Sequence, residues 1–276
     1  MTIKSLAVAL FSAKEAQWLI PAAADLASRT GAHLTGVLPI ESQVPFAGTE
    51  GSLVSYGAVF IPEWQRQEAA AIAGVFQAAV TGRDFLADLK QQPLGSQSAE
   101  SFLLDNVAAA DLVMAGQCPQ QGARHSQRQL QEQLIRRSGR PVLIIPQDWT
   151  PGVIGSNILV GWSNTREAIR AAHYARALAQ PGANISILNI GDGGLGLECR
   201  EDMAAAFDRH GHSVTLIDRQ KTTPGAGSML LKVAVECGAD MLAAGAFGHS
   251  WAYDFVLGAA TRELLEHAKL PVLFSR

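Results

Sequence analysis

The sequence lacks the patterns through which cysteine binds metal ions or cross-links small secreted domains. Its 276 residues include three cysteines, Cys118, Cys199 and Cys237, and no two of them form a CxxC pair. Neither a zinc ribbon nor a disulfide framework is therefore predicted, and isolated thiols are typical of a reducing cytosol. His210 and His212 lie in a polar turn between a predicted helix and a strand, so we expect a solvated pair and no metal site.

A basic surface and a long apolar run are also missing. Lysine and arginine number 22 against 25 aspartate and glutamate residues, a formal net charge of −3. This balance excludes a general binder of nucleic acids or of anionic membranes. No apolar stretch reaches the roughly 18 residues of a membrane span, and residues 1–6 lack the layout of a signal peptide. We therefore expect a soluble protein of the cytoplasm.

Common catalytic signatures are absent as well. The sequence contains no G-x4-G-K-[ST], no H-E-x-x-H and no G-x-S-x-G motif. No nucleophile, base and orienting residue can be grouped from it. We expect no catalytic residues and a chain that is not an enzyme. Because 48% of the residues are hydrophobic and 17% are charged, a well-buried core is expected rather than disorder.

The sequence contains an internal repeat. Three segments of the first half recur in the same order in the second half, at offsets of 151, 129 and 130 residues. Repetition in order indicates two related structural units. We predict domains at 1–147 and 153–276, joined by a short linker. The matched segments are 31–38 with 182–189, 110–116 with 239–245, and 141–143 with 271–273.

Both halves alternate strand-length apolar runs with helix-period segments. Such alternation indicates a parallel sheet covered by helices on both faces. The predicted fold class is α/β, with two tandem doubly wound, Rossmann-like parallel-sheet domains packed as a pseudo-dimer. We expect the apolar terminal strands 142–145 and 272–274 to cover each other, and Pro21 to kink the first helix or delay its start. The other predicted strands are 6–10, 34–38, 85–89 and 112–115, then 157–162, 185–190, 213–217 and 240–244.

A glycine-bearing segment follows the fourth strand of the second half. Gly245 and Gly248 are separated by two residues, and Gly258 follows after nine more, at the expected start of a helix. Glycines let backbone amides approach a ligand closely, and a helix N-terminus favours an anion. Ligands in doubly wound sheets bind beyond the strand carboxyl ends, where the strand order reverses. The segment therefore indicates a phosphate-binding site.

This pattern resembles the universal stress protein family, whose nucleotide motif is G-x2-G-x9-G followed by serine or threonine. Residues 158–162 resemble its first strand and residues 270–273 its last, so the likeness covers the second half and, more weakly, the first. It implies the adenine-nucleotide-hydrolase-like form of the fold, a regulatory or stress-response role, and ATP as the bound cofactor. Magnesium is not assigned, and slow hydrolysis of ATP is left open.

The resemblance also implies a set of binding residues, with two departures. Ser163 stands where the family commonly has aspartate, and Ala259 stands where it has serine or threonine, although Thr261 keeps one hydroxyl near the helix start. We therefore expect weaker ATP binding than in relatives with the full motif. The implied residues are Gly161, Trp162 and Ser163 near adenine, Ile190 as an apolar contact, and Gly245, Gly248, His249, Ser250, Gly258, Ala259 and Thr261 around ribose and phosphate.

The first half departs from the same pattern. Gly116 has no glycine three residues on, and Pro119 removes a backbone donor where the loop would need one. We expect the first half to be a degenerate structural partner. Besides this intramolecular partner, a homodimer of whole chains stays open.

Two other functions stay open. Residues 191–196 fit G-x-G-x-x-G, and Asp218 follows twenty-two residues later, as in NAD-binding sites. However, this motif follows the second strand of its half, whereas the dinucleotide pattern belongs to the first strand. The other alternative is a structural or interaction protein of the same fold that binds no nucleotide, because a fold does not fix a function.

Overall fold

The computed structural model describes residues 2–42, 61–118, 125–147, 149–150, 152–191, 197–221, 223, 225–247 and 258–276. Within these ranges each half contributes five strands and four helices, in strict alternation. The first half comprises β1 (Ser5–Ala9), α1 (Ala13–Thr30), β2 (His33–Ile40), α2 (Glu63–Val80), β3 (Ala87–Pro93), α3 (Ala99–Val107), β4 (Leu112–Gly116), α4 (His125–Arg137) and β5 (Val142–Ile145). The second comprises β6 (Asn157–Trp162), α5 (Arg166–Leu178), β7 (Asn184–Ile190), α6 (Leu197–Arg209), β8 (Ser213–Arg219), α7 (Ala226–Glu236), β9 (Met241–Gly245), α8 (Ala259–His267) and β10 (Val272–Ser275).

Local sequence explains where α1 begins and ends. Ser12 is in extended backbone and its hydroxyl accepts a hydrogen bond from the Glu15 amide at 3.2 Å, which caps the helix. Gly31 ends it in the left-handed region, with φ of 60°. The helix continues through Pro21, so the predicted delay of its start is wrong. The cap at Ser12 fixes the helix start, and eight residues of helix precede the proline.

All ten strands form one sheet in the order β3-β2-β1-β4-β5-β10-β9-β6-β7-β8. Pairing is parallel within each half, and β5 and β10 pair antiparallel, with Leu143 opposite Leu273. The predicted mutual cover of the terminal strands is therefore confirmed. Because this junction is antiparallel, the carboxyl edges of the two half-sheets point in opposite directions.

Equivalent hydrogen bonds hold the first strand of each half in place. Asp111, just before β4, accepts backbone hydrogen bonds from Lys4 at 2.8 Å and Ser5 at 3.0 Å. Asp240, just before β9, accepts three such bonds from residues 155–157 at 2.7, 2.8 and 2.9 Å. These aspartates occupy matching places in the repeat found in the sequence, so the repeat is a repeat of structure.

The core consists of two apolar layers, one on each face of the sheet. Alternate strand residues point to opposite layers, as Leu6 and Val8 do on one face and Ala7 and Ala9 on the other. Helices α1, α2, α5 and α6 cover the first face, and α3, α4, α7 and α8 cover the second. Each layer runs across the junction of the halves, so the halves share both cores. The domain boundaries at 147 and 153 stay a prediction.

Three absences concern the described part of the chain. No helix within it combines the length and apolar character that crossing a membrane requires. Across the same ranges, no three histidine, cysteine, aspartate or glutamate side chains are grouped as they would be around a metal ion. The cysteines are free, and Cys118 is buried.

Candidate functional site

The structure brings the strand-end residues of the second half together on one edge of the sheet. Gly161 pairs with Ala244 of β9, and Trp162 pairs with Asn189 of β7. Gly161 and Gly245 therefore lie on adjacent strands, with Ile190 on the next strand along. The strand order reverses between β6 and β9, which is where ligands bind in doubly wound folds.

Two of the predicted glycines lie close to a neighbouring helix, and for Gly245 the neighbour is backbone, which cannot move aside. A Cβ on Gly161 would lie 2.8 Å from a methyl group of Leu230 in α7. A Cβ on Gly245 would lie 2.6 Å from the backbone nitrogen of Ala168 in α5. Both glycines therefore let a helix approach the sheet, and their presence does not by itself indicate a ligand.

The residues predicted near adenine are partly used by the fold. Trp162 is 7% exposed and belongs to the core. The Ser163 hydroxyl lies 3.2 Å from that of Thr165, which caps α5 by accepting from the Ala168 amide at 3.3 Å. Ile190 is half-buried against the second core layer. Gly161, Ser163 and Ile190 thus keep accessible surface, whereas Trp162 does not.

The start of α8 has a different character. Gly258 precedes it with φ of −59°, and of the residues that the structure describes a Cβ there would meet the Thr261 hydroxyl oxygen alone, at 3.8 Å. No side chain caps the helix, and its first turn contains no acidic residue. The amides of its first turn lie at the positive end of the helix dipole, where an anion is favoured. Ala259 is exposed and Thr261 is 5% exposed.

Phe247, which the sequence did not single out, lies two residues after β9. Its φ of 64° is the one positive value among the described residues other than glycine, and a bulky residue in this region is strained. The guanidinium of Arg136, from α4 of the first half, lies 4.0 Å from the centre of its ring. Arg276 lies 5.9 Å from the same ring. Two cations therefore lie beside the segment that leads into the glycine motif.

No simple sequence signal could have found this contact, because Arg136 is more than a hundred residues from Phe247 and reaches it through the β5–β10 junction. Three predicted phosphate-site residues, Gly248, His249 and Ser250, lie outside the described residues. Their assignment stays a prediction.

In the first half, side chains of the protein close the inner end of the corresponding crevice, where β1 and β4 diverge. The carboxyl group of Glu15 accepts a hydrogen bond from the Gly116 amide at 3.1 Å and another from the Gln127 side chain at 3.1 Å. Gln131 donates to the Gly116 carbonyl at 2.8 Å. Burial raises the pKa of Glu15 to about 8, since it outweighs these hydrogen bonds. The role of the first half as a structural partner stays a prediction.

Two more side chains beside this crevice have structural surroundings. The Gln117 amide donates to the carbonyls of Leu265 and Ala268 at 2.9 and 3.2 Å, which ties the first half to the C-terminal end of α8. Burial raises the pKa of the Cys118 thiol to about 12, so this cysteine lacks the thiolate character of a reactive one.

The alternative dinucleotide motif has its acidic residue already engaged. Asp218, at the end of β8, accepts two hydrogen bonds from Arg200, at 2.7 and 3.1 Å, and one from Asn189 at 3.3 Å. The hydrogen bonds from Arg200 lower its pKa. Gly191 is described, while residues 192–196 are not. A carboxylate held by a bidentate arginine is a poor acceptor for a ribose hydroxyl, so this geometry does not favour the NAD alternative.

The expectation that the two histidines are both solvated is wrong for His212. This residue is 7% exposed, and its ring meets that of Phe207 edge-on at 6.1 Å. Burial lowers its pKa. His212 therefore lies just beyond the C-terminal end of α6, where it is buried and contacts an aromatic ring instead of water.

Comparisons with known proteins agree with this architecture. Residues 198–276 match the model of the universal stress protein family, whereas no curated protein matches the chain. A universal stress protein from Archaeoglobus fulgidus has a TM-score of 0.74 at 14% identity, over 100% of this chain and 97% of its own. A functionally unknown protein from Pseudomonas aeruginosa has a TM-score of 0.61 at 16% identity, over 99% and 92%. At these identities the two structures establish a shared fold.

Proposed function

We propose that the second half of the chain, in which residues 198–276 match the model of the universal stress protein family, binds an adenine nucleotide. The ligand proposed is ATP, bound once per chain, in a regulatory or stress-response role in the cytoplasm. The proposal is binding without catalysis, so any slow hydrolysis of ATP would be incidental to it.

The observation that carries the proposal is the glycine at the start of α8. Gly258 has an ordinary negative φ, and among the described residues a Cβ there would come near the Thr261 hydroxyl alone, at an unstrained 3.8 Å. Within the described residues, neither backbone strain nor packing therefore requires glycine at this position, in contrast with Gly245. A glycine at an uncapped helix start is well suited to a ligand that must approach the amides closely.

The electrostatic surroundings support a negatively charged ligand. Arg136 and Arg276 lie beside Phe247, on the chain that leads from β9 into the glycine motif. The strained backbone of Phe247 also agrees with a functional loop, since strain is concentrated at ligand sites. We therefore expect phosphate to contribute more to affinity than adenine, and ATP and ADP to bind more tightly than adenosine.

A pair of matched substitutions at Gly258 tests the proposal. Gly258→Asp and Gly258→Asn introduce side chains of nearly equal size, and both should cap α8 and stabilise it by roughly a few tenths of a kcal/mol over glycine. Only the aspartate places a negative charge beside the proposed phosphates. By isothermal titration, the Asp variant should bind ATP at least about tenfold more weakly than the Asn variant, since repulsion of about 1.4 kcal/mol suffices for that ratio.

Adenosine provides the control for this experiment, because it has the same base and ribose but no phosphate. Its affinity should be the same for the two variants, and the melting temperatures should rise together. Equal ATP affinity of correctly folded Asp and Asn variants would exclude phosphate from the start of α8. Two equivalent ATP sites per wild-type chain would contradict the assignment to the second half alone.

One observation favours a second candidate, a protein of this fold that binds no nucleotide. Gly161 and Gly245 are explained by the close approach of α7 and α5, and Trp162 is buried in the core. Mass spectrometry of small molecules that copurify with the chain, together with ATP and NAD titrations of the stripped protein, distinguishes these candidates. Absence of binding in all three experiments would favour the nucleotide-free function.

A further inference from the structure

The first half contains a cavity of about 360 Å³ at the carboxyl edge of its sheet. It lies between the segments that follow β1 and β2, helix α2, and the first turns of α3 and α4. Its apolar lining includes Phe11, Leu38, Ile72 and Leu130. This volume falls within the range of small-molecule sites, about 300–1,000 Å³.

One buried polar side chain lines the cavity without a protein partner. Gln65, on α2, is 9% exposed, and its side-chain amide makes no hydrogen bond to another residue in the described part of the chain. The nitrogen and oxygen of this amide are not among the fully buried side-chain atoms that lack a partner in the described part of the chain, so they keep accessible surface. The amide of Gln65 therefore offers both a donor and an acceptor to a molecule in the cavity.

The inner end of the crevice is closed to an anion. The Gly116 amide, which lies where β1 and β4 diverge, already donates to the Glu15 carboxyl group. Gln127 and Gln131 complete this network from α4. A phosphate or carboxylate group would thus meet an acidic side chain in place of free backbone amides.

The charges of the lining lead to the same conclusion. The charged side chains that line the cavity among the described residues are Glu41, Glu68 and Lys14, two carboxylates to one ammonium. The Glu68 carboxylate also accepts a hydrogen bond from the Ala13 amide at 3.2 Å, which fixes it at the cavity wall. This balance disfavours an anionic ligand and favours a neutral or cationic one.

We propose that this cavity is a second binding site, for a small, partly apolar molecule that is neutral or cationic and hydrogen-bonds to Gln65. Aromatic alcohols and amines have this chemistry. The site is independent of the nucleotide proposed for the second half, because it lies in the other half and at the opposite edge of the continuous sheet.

Three indoles that differ in charge test the ligand class on the full chain. Tryptophol is neutral, tryptamine is cationic and indole-3-acetate is anionic, while the ring is the same in all three. By ligand-observed NMR and isothermal titration, tryptophol and tryptamine should bind with a Kd of about 1 mM, as expected for so small a ligand. Indole-3-acetate should bind at least about tenfold more weakly, for the electrostatic reason given above.

Adjacent residues of α2 provide matched variants that locate the site. Ala69 is buried at the cavity and Ala70 is exposed on the same helix. Ala69→Phe should abolish binding, and Ala70→Phe should leave it unchanged. In the same way, Gln65→Leu should weaken the binding of tryptophol roughly two- to tenfold through the loss of one hydrogen bond. Gln67→Leu, on the exposed side of the helix, should leave this binding unchanged.

The proposal fails if neither tryptophol nor tryptamine binds to the wild-type chain, or if indole-3-acetate binds as tightly as they do. Equal losses in the Ala69→Phe and Ala70→Phe variants would place the binding elsewhere. Should Ala69→Phe fail to fold, the Gln65→Leu and Gln67→Leu pair decides the location. Competition of ATP with tryptamine would also overturn the proposal, because it would identify the cavity as a nucleotide site.

Discussion

The carboxyl group of Glu15 offers a sharp test of how the first half is built. It is 5% exposed, and burial is the main cause that raises its pKa from 4.5 to about 8. We consider the substitution Glu15→Gln, which keeps the size and the acceptor for the Gly116 amide but removes the titration. Gln127 can rotate its side-chain amide to present its oxygen to the new donor.

The sign of the effect follows from proton binding. Between pH 4.5 and about 8 the folded chain keeps the Glu15 proton and the unfolded chain releases it, so the free energy of unfolding falls as pH rises. Each pH unit in this window lowers the free energy of unfolding by about 1.4 kcal/mol. The wild-type chain should therefore lose about 3 kcal/mol between pH 4.5 and 7 through this group, and about 5 kcal/mol by pH 8.

Urea unfolding of the wild type and Glu15→Gln at pH 5, 6, 7 and 8 measures this loss as a difference between the two proteins. Other titrating groups cancel in the difference, which should grow in favour of the glutamine variant with each pH step. Glu63→Gln, an exposed glutamate on α2, controls for the removal of one carboxylate. NMR titration of the glutamate side-chain carbons provides an independent pKa for Glu15.

A difference between wild type and Glu15→Gln that stays constant from pH 5 to 8 would refute this reasoning. It would mean that Glu15 is already ionised in the folded chain at pH 5. The crevice would then contain water or a counterion that compensates the charge, and the closed network of Glu15, Gln127 and Gln131 would be incorrect.

Two further predictions concern the second half. Ala259→Ser adds a hydrogen-bond donor at the first position of α8. The affinity for ATP should rise roughly two- to tenfold, as one hydrogen bond allows, and the affinity for adenosine should change little. Ala226→Ser at the first position of α7 is the control by the same titration, and an equal gain there would contradict a local contact. Phe247→Gly should destabilise the chain less than Phe85→Gly does in thermal unfolding, because relief of about 1–3 kcal/mol of backbone strain offsets the lost ring contacts. Equal losses in these two half-buried phenylalanines would show that Phe247 is unstrained.

The central strands were predictable because burial on both faces leaves a nearly continuous apolar run. Strands β4, β5, β6 and β9 lie within a residue or so of their predicted bounds. The edge strand β3 was predicted at residues 85–89 and is observed at Ala87–Pro93. Leu86 is 78% exposed there, and the strand continues through polar residues. At an edge, pairing with β2 fixes the strand, and the apolar pattern does not.

The candidate site was less predictable, since its residues depend on contacts between distant segments. The sequence identified the glycine positions. It could not distinguish Gly245, which the backbone of α5 requires to be glycine, from Gly258, for which no described residue imposes such a requirement. Nor could it show that Gln127 and Gln131, one helical turn apart on α4, both serve the crevice of the first half. Helical spacing places two side chains on one face, and the neighbour of that face is set by the fold.

The antiparallel junction explains how one half acts on the site of the other. The carboxyl edges of the two half-sheets point in opposite directions. The carboxyl edge of each half, which holds its crevice, therefore lies beside the amino edge of the other half. Gln117 of the first half thus reaches the last carbonyls of α8, and Arg276 of the second half donates to the carbonyl of Arg136 near the end of α4. Arg136 in turn lies over Phe247. The first half therefore contributes a cation to the surroundings of the second half's glycine motif, and this contribution requires no glycine motif of its own.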